Sequence, residues 1–210
     1  MAKPVDAYVW TTPNGYKLLV ALEELGVPYQ AHWVDITKGE QMKPAFVAIN
    51  PNNKIPALVD PDGPGGQPLT VFESGAILVY LADKAGKFLA KDGSARYEAL
   101  TWVFFNIGNT GPMLGQYGFF AKFASEKIPM AIERYTKESH RLFGVLDRRL
   151  AEVPYLAGAE YTIADMINVT WIRAARDFHA FDLSPYPHLT RWLTEIEARP
   201  AVAKALAMKP

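Results

Sequence analysis

Two short stretches carry the residue types that a small, doubly charged ligand needs: Asn52-Asn53-Lys54-Ile55-Pro56-Ala57-Leu58-Val59-Asp60 and Phe72-Glu73-Ser74-Gly75-Ala76-Ile77. Ile-Pro-Ala-Leu-Val-Asp reads as a short strand opening with proline. Proline within a sheet is confined to strand starts, edges and bulges, so the reading is an edge strand with backbone groups open to an extended ligand. Ser74 precedes the apolar run Ala76 to Leu81 and is placed as an N-cap, with neighbouring amides available to a carboxylate. Glu73 beside it offers an acceptor for an ammonium. An open backbone, an anion pocket and an adjacent carboxylate suit a small peptide bearing an amine and carboxylates. A third stretch, Thr12-Pro13-Asn14-Gly15, lies between a predicted strand and a predicted helix. Its proline and glycine suit a helix start, and the free amides and helix dipole there favour a negative charge such as a thiolate. Thr12 brings a hydroxyl and Asn14 an amide. Spacing alone leaves open whether they serve a ligand or only cap the helix.

The chain contains no cysteine. Disulfide staples, thiolate metal sites and a protein cysteine nucleophile are excluded, so any sulfur chemistry must use sulfur brought by the substrate. Lys+Arg and Asp+Glu balance at 22 each, which leaves no overall field to draw nucleic acid or an anionic membrane. The sequence 1–6 lacks the apolar stretch of a secretory signal, and no segment has the length of a membrane span. The expectation is a cytoplasmic protein. The four histidines show no i,i+4 pairing, Asp60 and Asp62 read as turn residues without calcium-loop spacing, and Gly63-Pro64-Gly65-Gly66 has no following Lys-Ser or Lys-Thr. No metal and no phosphate loop are expected.

The elements that must position these residues follow from periodicity. Residues 7–11 favour a strand, and 15–26 place Leu18, Leu19, Leu22 and Leu25 at helical spacing, with Gly26 as the stop. Residues 29–34 read as a second strand and 41–49 as a short helix interrupted by Pro44. Residues 57–60 and 69–72 flank the turn formers Pro61-Asp62-Gly63-Pro64-Gly65-Gly66, a hairpin connection. The order β-α-β-α-β-β-α predicts an α/β unit with a mixed sheet. Beyond residue 87 strand signals fade, and 96–108, 128–152, 162–178 and 187–199 read as helices. The expected organisation is an α/β domain over 1–87 and an all-helical domain over 88–210. Thr162-Ile163-Ala164-Asp165 has capping-box spacing and is assigned to folding.

With these residues in order, the Asn53-to-Asp60 and Phe72-to-Leu78 segments resemble the glutathione transferase superfamily. Thr12-Pro13-Asn14-Gly15-Tyr16-Lys17, Lys38-Gly39-Glu40-Gln41 and Gly111-Pro112-Met113-Leu114-Gly115-Gln116 resemble its nu-class branch, which includes bacterial glutathione-dependent disulfide-bond oxidoreductases. The resemblance covers nearly the whole chain. It implies a thioredoxin-like first domain, Thr12 and Asn14 at the glutathione sulfur, and a cis Ile55-Pro56 bond whose backbone meets the cysteinyl part. It also implies Lys54 and Gln41 at the glycyl carboxylate, with Asn53 in the same turn, and Glu73 and Ser74 at the γ-glutamyl end. Arg134 is implied as a donor to a ligand carboxylate, against the alternative of a surface charge among Glu133, Lys137 and Glu138. Tyr8 and Tyr16 are competing phenols ranked below Thr12.

Tyr117, Phe119, Phe120, Phe123 and Trp171 are candidate walls of an apolar cosubstrate cleft, with core or dimer contacts as their alternative. The expected function is thiol-disulfide exchange on small disulfides by a homodimer, glutathione being the cosubstrate. Two alternatives are conjugation or reduction of electrophiles or organic peroxides by the same thiolate, and a glutathione-fold binding or regulatory protein with little turnover.

Overall fold

The computed structural model describes residues 3–210. The chain forms two compact units, one of residues up to Lys91 together with Arg199–Pro210, the other Asp92–Ala198.

The first unit is built on β1 (Val5–Val9), α1 (Pro13–Leu25), β2 (Tyr29–Trp33), α2 (Pro44–Val47), β3 (Ala57–Asp60), β4 (Leu69–Phe72) and α3 (Ser74–Ala85). The strand order is β2-β1-β3-β4; β1 and β2 are parallel, and β3 is antiparallel to both neighbours. This is the mixed sheet that the element order predicts, in the thioredoxin-like form that the resemblance implies. In β1 the residues Val5, Ala7 and Val9 are buried in alternation, as a strand with period two requires. Tyr8 points the other way and packs with Phe46 of α2, Val34 and Ala57. The buried stripe Leu18, Leu22 and Leu25 places α1 against β1 and α3, and Gly26 ends the helix in the left-handed conformation at φ 68°.

Three sequence expectations are corrected here. The Ala57–Asp60 strand is interior, because β1 pairs with one side and β4 folds back onto the other; the edges are β2 and β4. Pro44 does not interrupt a helix but starts one, at the N-terminal position where its missing N–H costs nothing. Asp60 is not an open turn residue. Its buried carboxylate accepts from the Tyr80 hydroxyl at 2.6 Å, the Asp62 N–H at 2.8 Å and the Lys84 ammonium, pinning the hairpin to α3.

The segment after residue 198, read from sequence as part of the helical half, groups with the first unit. There α9 (Pro200–Ala207) buries Val202 and Ala205 and packs on α1. Arg199 grips Glu24 through Nε and Nη2 at 2.6 and 2.9 Å, and Lys204 pairs with Glu23 at 2.8 Å.

The second unit contains α4 (Gly93–Phe105), α5 (Gly111–Gly118), α6 (Pro129–Glu152), α7 (Ile163–Asp177) and α8 (Pro187–Glu197), with π-helical turns at Asn106–Thr110 and Phe119–Phe123. The capping box is formed. Thr162 Oγ1 accepts from the Ala164 N–H at 3.2 Å, and Asp165 Oδ2 accepts from the Thr162 N–H at 3.0 Å. The other Asp165 oxygen accepts from the Leu156 N–H at 3.0 Å and the Trp192 indole at 2.8 Å. Burial pushes the Asp165 carboxyl up in pKa while these donors hold it down. One carboxylate thus joins α7, α8 and the preceding loop.

Thr162→Ala is therefore expected to cost about 0.5–2 kcal/mol of stability. Asp165→Ala should cost more, because each buried N–H left without an acceptor costs about 1–3 kcal/mol. Urea unfolding of both variants checks the order, and an Asp165→Ala midpoint equal to the parent's would contradict this account.

Candidate functional site

The register of the sheet gathers the candidate residues. Tyr8 pairs with Ala57, Ala57 with Phe72, and Val9 with Trp33. The exits of β1, β2 and β4 and the entrance of β3 therefore lie at one end of the sheet. Thr12 to Asn14 follow β1, Gln41 follows β2, Asn53 to Pro56 precede β3, and Glu73 and Ser74 follow β4. Turns far apart in sequence share one end of the sheet because antiparallel pairing fixes which strand ends meet.

Thr12 is the N-cap of α1, with φ −121° and ψ 161°, and its Oγ1 accepts from the Gly15 N–H at 3.3 Å. Capping uses an oxygen lone pair and leaves the hydroxyl proton available as a donor, so the two sequence readings of Thr12 are compatible. The Thr12 N–H donates to the Trp10 carbonyl at 2.7 Å. Gly15 brings the helix start hard against that carbonyl: a Cβ on Gly15 would stand 2.0 Å from Trp10 O. Asn14 is half-buried in the first turn. The competing phenols are otherwise engaged. Tyr8 stacks on His32 with ring centroids 4.7 Å apart, its pKa raised by burial and then by Asp6. Tyr16 donates to the Met208 carbonyl at 3.1 Å.

Ile55-Pro56 is cis. The turn before it is organised by buried Asn50, whose Nδ2 donates to Lys54 O at 2.6 Å while its Oδ1 accepts from the Asn52 N–H at 2.9 Å. The ladder begins at Ala57, so the Ile55 backbone groups stand outside it despite β3 being interior. Asn53 is held at φ 55°. The buried Asn53 Oδ1 and Gln41 Oε1 have no hydrogen-bond partner among the described residues, while the Gln41 amide reaches the Ile36 carbonyl at 3.5 Å.

At α3 the sequence expectation is corrected by one residue. The N-cap is Glu73, at φ 71° and ψ 112° and without a side-chain capping bond, and Ser74 is the buried first helical residue. A non-glycine residue in that region is strained. The conformation leaves the Glu73 carboxylate exposed instead of folded over the helix start. The first intrahelical bond runs from the Ile77 N–H to the Glu73 carbonyl, so the N–H groups of Ser74, Gly75 and Ala76 precede it.

Two residues here escaped sequence reasoning. Asn50 has no distinguishing pattern. Lys17, only 2% exposed, sends its ammonium to Ser74 Oγ at 3.4 Å. Its signal was positional, since Lys17 shares a helix face with Ala21 and Leu25, four and eight residues on, both buried.

In the helical unit, Arg134 lines a groove of about 610 Å³ with Met113, Met130, Glu138 and Arg141. Tyr117 packs on Phe181 at 4.6 Å between ring centroids, Phe120 stacks on Tyr135 at 5.8 Å, and the exposed Phe123 stacks on Phe178 at 5.9 Å. Phe119 is exposed against Phe120. Trp171 lies instead in the core: Cβ atoms on Gly111 and Gly115 would meet its ring at 3.2 and 3.5 Å. These glycines let α5 approach the indole.

The start of α1, the cis-proline turn and the acidic turn ahead of α3 thus stand at one end of the sheet. Residues 11–84 match the family described as glutathione S-transferase, N-terminal domain, and residues 111–200 the glutathione S-transferase, C-terminal domain. The chain is 46% identical over 203 residues to the disulfide-bond oxidoreductase YfcG of Escherichia coli strain K12, covering 96% of this chain and 94% of that protein. It superposes with a TM-score of 0.93 and 47% identity on a glutathione transferase family member from Pseudomonas fluorescens with two glutathione molecules bound, over 96% of this chain and 92% of the other. A glutathione transferase from Pseudomonas putida with one glutathione disulfide bound per subunit gives a TM-score of 0.92 at 43% identity, over 99% and 92%. The chain belongs to the glutathione S-transferase family.

Gly15→Ala gives a test of the first turn. In an ordinary helix the change stabilises by roughly 0.5–1 kcal/mol; here the collision with Trp10 should reverse the sign and cost about 1–3 kcal/mol. Denaturant unfolding reads the sign, and a stabilised variant would show that the turn yields freely.

Proposed function

We propose that the protein is a glutathione-dependent disulfide-bond oxidoreductase of the nu-class type, working in the cytoplasm as a homodimer. The observation that carries this reading is the convergence of the Thr12, Ile55 and Glu73 turns at one end of the sheet in a chain without cysteine. In this reading the Thr12 hydroxyl and Asn14, with the N-terminus of α1, stabilise the glutathione thiolate. The Ile55 backbone pairs with the cysteinyl part, and Lys54, Gln41 and Asn53 take the glycyl end. Ser74 and the free amides of α3 hold the γ-glutamyl carboxylate, and Glu73 holds its ammonium.

The chemistry balances without a protein sulfur. The bound thiolate attacks one sulfur of a small disulfide, forming a mixed disulfide and expelling a thiolate that takes a proton from water. A second glutathione thiolate attacks the mixed disulfide, giving glutathione disulfide and the second thiol. Disulfide-bond oxidoreductases among the relatives, and a related structure holding glutathione disulfide, support this choice over conjugation or peroxide reduction. In the helical unit, Arg134 is proposed as a ligand carboxylate donor, and Tyr117, Phe119, Phe120 and Phe123 as apolar contacts for the cosubstrate. The homodimer is supported by α4, where Tyr97 and Phe104 are 70% and 67% exposed at i,i+7 spacing.

A free thiol has pKa near 8.5, and a helix N-terminus lowers it by about one unit or more; a shift of about two units corresponds to roughly 2.7 kcal/mol. Bound glutathione should therefore be mostly thiolate at neutral pH, with Thr12→Val moving its ultraviolet titration upward and confining turnover to higher pH. Hydroxyethyl disulfide reduction should exceed chlorodinitrobenzene conjugation. An unshifted thiol, or conjugation as the faster reaction, would reject the assignment. Glu73→Gln should weaken glutathione binding about tenfold or more through loss of a charge-assisted hydrogen bond, with the thiol titration unmoved; unchanged affinity by calorimetry would remove Glu73 from the site.

A further inference from the structure

Lys17 is the most unusual charge in the first unit. It is 2% exposed, it makes no ion pair among the described residues, and its one hydrogen bond, 3.4 Å to Ser74 Oγ, places the ammonium behind the first turn of α3. Helix N-termini already carry partial positive charge, so burial and the α3 dipole both act against the cation. Glu73 alone acts for it, through space.

The other charges on packed elements are occupied elsewhere. α1 packs against β1, α3 and α9. On α1, Glu23 and Glu24 pair with Lys204 of α9 and with Arg199, about 9 Å or more along the helix from Lys17. On β1, Asp6 pairs with His32; on α3, Lys84 pairs with Asp60 and Asp83 has a partner of its own. The phenols of Tyr16 and Tyr80 donate to Met208 O and Asp60.

We propose that Lys17 is a positioning residue for the γ-glutamyl carboxylate: standing behind Ser74, it supplies positive charge to the first turn of α3, and glutathione binding draws a proton onto it. The proposal rests on reading the Glu73–Ser74 turn as the γ-glutamyl subsite. A carboxylate accepting from the Ser74 hydroxyl lies two hydrogen bonds, about 6 Å, from the Lys17 nitrogen. In the free protein burial lowers the Lys17 pKa to about 7, so the amine is divided between charged and neutral forms at physiological pH. A bound anion favours the charged form and raises that pKa. The sign follows: the contribution to affinity is complete below the free-state pKa and is lost as pH rises through the bound-state pKa.

The test uses S-methylglutathione, whose sulfur does not ionise, in calorimetric titrations from pH 6 to 8 in two buffers of different ionisation enthalpy. Lys17→Gln retains a donor for Ser74 and removes the charge, and the ligand's own amine titrates alike with every variant. For a bound-state pKa one unit higher, the parent should bind about tenfold more tightly than Lys17→Gln at pH 6 and about twofold at pH 8. It should also take up about half a proton more near pH 7.5. Lys17→Met should repeat the Gln result, and either variant suffices if the other does not fold. A parent-to-variant ratio constant with pH, or equal proton uptake, overturns the role of Lys17. Ser74→Ala separates the two levels: affinity that ignores both Ser74 and Lys17, or no binding by the parent, overturns the subsite itself. Affinity that depends on Ser74 but gives a pH-independent ratio overturns only the lysine.

Discussion

The antiparallel pairing of β3 with both β1 and β4 is the constraint on which the site depends. Tyr8, Ala57 and Phe72 stand in one row across the sheet. A side-chain period of two makes any one-residue slip reverse the inward and outward faces, and here a slip would also break the alignment of three turns. Buried Val5, Ala7 and Val9 on one face and Tyr8 against Phe46 on the other both resist it. Asp60, held to Tyr80 and Lys84, fixes the far end of β3. The packing that stabilises the unit is thus the same packing that sets the distances between the three turns.

Local devices then shape each turn. Gly15 lets α1 begin against the Trp10 carbonyl, which puts the first-turn amides of α1 beside the β1 exit. Asn50 folds the turn before the cis-proline by bonding its own loop. Glu73 accepts a left-handed backbone that keeps its carboxylate exposed instead of over the helix start. Asn50 commits a buried polar residue and Glu73 a strained one to these turns, as binding sites commonly do.

Much of the fold was legible because it rests on local signals. The turn formers 61–66 between apolar runs announced the hairpin, Gly26 marked the end of α1, and Thr162 with Asp165 marked the start of α7. The candidate site stretches were legible as composition, but their geometry depended on neighbours. Nothing local says that β3 is interior, since that depends on β4 returning to it. Nothing local says that Glu73 caps α3 ahead of Ser74, since serine is the favoured capping type of the two and the choice follows from how β4 enters the helix. For Trp171 the sequence leaves a cleft wall and a core position open, because its burial depends on Gly111 and Gly115 of another helix. Residue type hides Lys17, because lysine is almost never fully buried, although its place on the α1 wheel points inward.

The return of α9 to the first unit has a consequence for how the chain becomes itself. The helical unit is an insertion: the chain leaves the α/β unit after Lys91, completes 92–198, and comes back to lay Val202 and Ala205 on α1. A ribosome delivers residues in order, so the sheet emerges early yet waits for the helical unit before α1 gains its covering helix and Glu23 and Glu24 gain their cations. The part of the molecule that is made first is the part that is finished last.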